Sequence, residues 1–94
     1  MLNVLVVDDQ ASVRTALELL FEINNIPVLL AANPEAAIEL CAREDIGLVL
    51  MDMNFRRDTT SGEEGVELMR KLRSLDPDLP VVLMTAFTSL EMAV

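Results

Sequence analysis

The sequence predicts an α/β fold, a doubly wound parallel sheet with helices on both faces, and three observations carry that expectation. Strand-like and helix-like segments alternate along all 94 residues. The strand-like segments are apolar throughout, as strands buried on both faces are, and do not alternate between apolar and polar positions. No fixed-period repeat, low-complexity tract or linker interrupts the pattern, so a single domain over residues 1–94 is expected.

The elements follow in order. Residues 2–7, LNVLVV, are rich in β-branched side chains and read as the first strand. Over residues 12–24, Val13, Ala16, Leu17, Leu20 and Ile23 recur at helical spacing, and Pro27 ends that helix before the second strand, VLLAA. Asn33 followed by Pro34 is an N-cap with proline at the first helical position, opening a helix that runs to about Glu44. IGLVLM, 46–51, is the third strand. Ser61 and Glu64 fit a capping box for a third helix, whose apolar face is Val66, Met69, Leu72 and Leu75. DPDLP closes it, VVLMT (81–85) is the fourth strand, and Thr88 with Glu91 announces a fourth helix. The polar loop from 52 to about 62 is the one long connection, a place where function is common.

Composition narrows the function classes. An apolar fraction of 52% rules out disorder as the default. No apolar stretch approaches the roughly 18 residues of a membrane span, and MLNVLVVDDQ lacks the basic region and cleavage site of a signal peptide, so a cytoplasmic protein is expected. Seven basic against sixteen acidic residues give a net charge of −9, which repels a phosphate backbone and argues against direct nucleic-acid binding. Arg70, Lys71 and Arg73 fall near a helix end, where cations favour the dipole, and read as a solvated terminus. The lone Cys41 lies among apolar helix positions and reads as a structural thiol.

In open α/β sheets a ligand sits beyond the carboxyl ends of the strands, where the strand order reverses. Asp8 and Asp9 follow the first strand, Asp52 the third and Thr85 the fourth. In the order 2-1-3-4 the first and third strands are neighbours, so the aspartates share one crevice. Capping the first helix is an alternative for Asp9, and a solvent-facing position for Asp8. Asp52 is a poor cap, because the next helix starts near Ser61. Crowded carboxylates repel unless a cation joins them, and an oxygen-only set in a small site suits Mg²⁺ completed by a substrate phosphate. Phosphoryl transfer follows, with Asp52 as the nucleophile that becomes an aspartyl phosphate.

VLVVDDQ, LVLMDMNF and VVLMTAF together resemble the signature stretches of the response-regulator receiver domain of bacterial two-component systems. The resemblance covers the whole chain and implies a flavodoxin-like (CheY-like) fold. It also implies that Asp52 is the phosphorylated residue. Asp9 and Asp52 would ligate Mg²⁺ directly, Asp8 would act through water, and the Asn54 backbone carbonyl would add a ligand. Thr85 would turn its hydroxyl toward the phosphoryl group and the Ala86 N–H would hold its oxygens, with Phe87 in the switch region. The loop RRDTTSGEEG is similar to receivers of sigma-54-dependent transcriptional activators. A histidine kinase is the implied partner and donor, and an output domain of the parent regulator the implied recipient of the signal.

Receivers continue through a fifth strand and helix, with a lysine at the end of that strand that pairs with the phosphoryl oxygens. The sequence ends at Val94, before that unit, and its only lysine is Lys71 in the third helix. Slow or absent phosphotransfer is therefore expected, together with self-association through the exposed edge of the fourth strand. Two further classes stay open. The Asp52–Asn54 stretch also resembles the nucleophile segment of haloacid-dehalogenase-type phosphatases, and a phosphorylation-inactive pseudo-receiver would serve as an interaction module.

Overall fold

A computed structural model describes residues 2–52 and 63–84. Along the chain run β1 (Asn3–Val7), α1 (Ala11–Ile23), β2 (Val28–Ala31), α2 (Pro34–Arg43), β3 (Ile46–Asp52), α3 (Glu63–Leu75) and β4 (Val81–Met84). The strands form one parallel sheet in the order β2-β1-β3-β4. The predicted architecture and strand order are both present. The Ser61 cap and the fourth helix expected from Thr88 lie outside the described residues.

Element ends have local causes. Asn33, in extended backbone, accepts the Ala36 N–H at 2.8 Å, and Pro34 occupies the first turn of α2, as predicted. Losing that cap by Asn33→Ala is expected to cost about 1 kcal/mol, readable as a lower urea midpoint at unchanged m-value. The end of α1 is set before Pro27. Asn25 adopts a left-handed conformation (φ 58°), its N–H donates to the Glu22 carbonyl at 3.0 Å, and the Ile26 N–H donates to the Phe21 carbonyl at 2.9 Å. This is the paired closure of a Schellman motif, with asparagine at the position glycine usually takes.

Parallel register assigns the sheet's two faces. Leu5, Val7, Leu29, Ala31, Val49, Met51 and Val81 share one face and meet Ala37 of α2, Leu68 and Leu72 of α3, and Leu79, forming the core. Val4, Val6, Leu30, Leu48, Leu50 and Val82 alternate onto the other face, where α1 covers β1 and β2. Helices therefore lie on both sides of the sheet. The register slips once, between Asn3 and Val4, so that Gly47 is the extra residue of a bulge on β3. A Cβ added at Gly47 would stand 2.9 Å from the Cβ of Leu2, a separation that only glycine avoids.

The helical faces differ from expectation in detail. On α1, Val13, Leu17 and Phe21 are half-buried, while Ala16, Leu20 and Ile23 are exposed. The apolar stripe is wider than the strip of sheet the helix touches. On α3, Leu68 and Leu72 are the buried pair and Leu75 is exposed. Two residues of β4, Val82 and Leu83, point to opposite faces and both are exposed, in keeping with the exposed edge expected of the fourth strand.

Candidate functional site

Asp8 directly follows β1, and Asp52 is the last residue of β3. The two strands are hydrogen-bonded neighbours with Val7 opposite Met51, so the next residue on each delivers a carboxylate to the same level of the sheet's carboxyl edge. Asp9 comes one residue later. One carboxylate oxygen from each of Asp8, Asp9 and Asp52 lies within 4.8 Å of the others. Among the described residues this is the one group of metal-capable side chains so gathered. Asp8 is 5% exposed and Asp52 3%, while Asp9 is half-buried.

Asp8 is fixed through its main chain and its side chain alike. Its N–H donates to the Ala31 carbonyl at 3.1 Å, extending the β1–β2 ladder by one rung. Its Oδ1 accepts the Gln10 N–H at 2.9 Å, a local turn in which an aspartate binds the backbone two residues on. Its carbonyl accepts the Arg14 Nη1–H at 2.8 Å. The alternatives considered for the acidic pair are not adopted. Gln10 occupies the N-cap of α1 and makes no side-chain cap bond, and Asp8 is buried instead of facing solvent.

Three hard-oxygen donors so close together fit a small divalent cation. Two full charges 4.8 Å apart repel by roughly 3 kcal/mol at an effective dielectric near 20. A cation among them turns that repulsion into attraction. Mg²⁺ is typically held by one or two carboxylates and keeps several waters, which suits a site that opens at a sheet edge. The described donors fit the group.

Asn54, Thr85 and Ala86, predicted to complete the site, lie outside the described residues, as does Phe87. Cys41 is half-buried at the flank of the core. Burial, and then the nearby Asp76 carboxylate, push its thiol above the ordinary cysteine range. It lines a cavity of about 340 Å³ with Leu2, Ile46, Leu75 and Leu79, at the amino ends of β1 and β3 and so away from the aspartates. Arg14 went unnoticed in the sequence. Its one available signal is position, a lone cation one turn into the helix that follows the acidic pair.

An open parallel α/β domain that gathers carboxylates where its strand order reverses belongs to the doubly wound class whose ligand crevice lies at that edge. Comparison with known proteins makes the class specific. The family model described as the response regulator receiver domain matches residues 4–94. Sporulation initiation phosphotransferase F of Bacillus subtilis is 32% identical over 90 residues, spanning 96% of this chain and 68% of that protein. The C4-dicarboxylate transport transcriptional regulatory protein DctD of Rhizobium meliloti is 30% identical over 92 residues, which are 98% of this chain but only 19% of the regulator. The response regulator TrrA of Thermotoga maritima, solved in complex with Mg²⁺-BeF, superposes with a TM-score of 0.78 at 26% identity, over 94% of this chain and 72% of that one. The chain belongs to the response regulator receiver domain family of two-component signalling. No described helix is long and apolar enough to cross a membrane.

Proposed function

We propose that residues 1–94 are a receiver unit in which Asp52 accepts a phosphoryl group with Mg²⁺ held by Asp8, Asp9 and Asp52. The observation that carries this reading is the gathering of the three carboxylates within 4.8 Å at the carboxyl ends of adjacent strands. The Mg²⁺-BeF complex of the Thermotoga relative supports the choice of cation. When bound, Mg²⁺ neutralises the acidic cluster and lowers the cost of bringing a phosphoryl group to it.

The chain's own contribution is mainly positional. Asp8 and Asp9 hold the cation site, while β3 carries the Asp52 carboxylate to the edge of the sheet. A carboxylate oxygen of Asp52 attacks the phosphorus, a new O–P bond forms, and the bond to the donor's nitrogen or oxygen breaks with its electron pair leaving on the donor. The donor in the cell is a phosphohistidine of a partner kinase. On the family resemblance, the Asn54 carbonyl adds a metal ligand, while the Thr85 hydroxyl and the Ala86 N–H receive the phosphoryl oxygens. The domain signals to an output domain in the cytoplasm and does not turn over a substrate. Val82 and Leu83, exposed on opposite faces of β4, favour association of this edge with a second copy. Membership of the receiver family replaces the haloacid-dehalogenase-type reading of the Asp52–Asn54 stretch.

Incubation with Mg²⁺ and acetyl phosphate, followed by intact-mass analysis, tests the proposal. One added phosphoryl group is expected to accumulate slowly on the chain, whose only lysine is Lys71 of α3, and none on Asp52→Asn. A folded chain that takes up no phosphoryl group, or a variant that takes it up equally well, contradicts it.

A further inference from the structure

We infer that Arg14 is a positioning residue for the cation site, acting through the peptide unit that joins Asp8 to Asp9; the inference rests on the function proposed above. The Arg14 Nη1–H donates to the Asp8 carbonyl at 2.8 Å in a partly buried setting. That carbonyl belongs to a planar unit whose two ends are the Asp8 and Asp9 α-carbons. Holding its oxygen fixes the rotation of the plane, and with it the relative directions in which the two carboxylates leave the backbone. The Asp8 N–H is already bound to Ala31 and its Oδ1 to the Gln10 N–H. Arg14 is anchored in turn, because its own N–H donates to the Gln10 carbonyl at 3.1 Å. The acidic turn is thus closed on both sides, and the guanidinium supplies the contact on the helix side.

Charge and position predict opposite results, which makes the inference testable. As a bare cation beside the cluster, Arg14 repels Mg²⁺, and removing it should tighten binding. As a positioning group it holds two ligands in register, and removing it should loosen binding. Loss of a contact that orients metal ligands typically weakens affinity about 10- to 100-fold, and a guanidinium bound to a carbonyl in a partly buried place acts mainly in this second way.

Titration calorimetry with MgCl₂, well below the melting temperature, reads the difference without reference to phosphorylation. Arg14→Met, which keeps the apolar stem, is expected to bind Mg²⁺ about tenfold or more weakly. Arg14→Lys, which keeps the charge but replaces the guanidinium, is expected to bind severalfold more weakly and carries the test if Arg14→Met does not fold. Equal or tighter binding by the folded variants, beside a wild type that binds, overturns the positioning role alone. A folded wild type that binds no Mg²⁺ at millimolar concentration overturns the proposed function and this inference with it.

Discussion

Truncating Leu72 to alanine is expected to lower the unfolding free energy by about 2–5 kcal/mol. Leu72 is fully buried on α3, where it and Leu68 join Ala37 of α2 against Leu5, Val7, Val49 and Met51 of the sheet. The substitution removes the side chain's transfer free energy and leaves a cavity that a sheet on one side and two helices on the other can close only in part. A domain of this size has about 5–15 kcal/mol in total, so the variant should lose a large share of its stability and can fall to partial unfolding at 37 °C. Urea denaturation followed by far-ultraviolet circular dichroism measures the change. A loss below about 0.5 kcal/mol, the range of ordinary surface substitutions, contradicts the packing described for α3.

Asp52→Asn is expected to stabilise the metal-free protein while removing most of its response to Mg²⁺. With no cation present, three carboxylates within 4.8 Å repel, and two of them are nearly excluded from water. Replacing one by a neutral group of the same shape relieves that repulsion by about 1–2 kcal/mol, less than the pairwise Coulomb figure because the half-exposed Asp9 is screened. Mg²⁺ should act in the opposite sense on the wild type. Selective binding to the folded state adds about 2.7 kcal/mol when the ion is present at a hundred times its dissociation constant. Thermal melts in EDTA and in millimolar Mg²⁺ should therefore cross: the variant melts higher in EDTA, and the wild type gains far more from Mg²⁺. A variant less stable than the wild type in EDTA, with an equal gain from Mg²⁺, contradicts the repulsive cluster.

The acidic site was legible because its chemistry sits at strand ends. Asp8 and Asp9 follow LNVLVV and Asp52 follows IGLVLM, and a parallel sheet brings the carboxyl ends of adjacent strands together whatever the loops do. Asn33 and Pro34 were legible for a similarly local reason, since a cap binds backbone only a few residues away. Periodicity did less well for coverage. The apolar spacing of α1 is visible in the sequence, but a stripe says which side is apolar and not how much of it is covered, and Ala16, Leu20 and Ile23 of that stripe are exposed. On α3 the inward line falls on Leu68 and Leu72 in place of Leu75, because a small rotation of the helix decides which flank of a broad stripe meets the core. Pro27 marked the end of α1 but did not cause it. The Asn24–Asn25 pair was the overlooked signal, since asparagine tolerates the left-handed conformation that closes a helix.

Contacts to backbone were the least legible of all. Arg14 binds the Asp8 carbonyl, and every residue carries a carbonyl, so nothing in the pattern of side chains distinguishes this pair. The bulge at Gly47 is hidden for a related reason. It answers to the approach of Leu2, a close contact set by the register of two strands more than forty residues apart in the chain.

Locating the phosphoryl group is the most direct test of the central claim that Asp52 is the acceptor at a cation site it forms with Asp8 and Asp9. Borohydride reduction of the acyl phosphate after treatment with Mg²⁺ and acetyl phosphate, followed by peptide mass mapping, marks the acceptor irreversibly. The expected result is conversion at residue 52 alone, dependent on Mg²⁺. Conversion at Asp8 or Asp9, or the same yield in EDTA as in Mg²⁺, would contradict it.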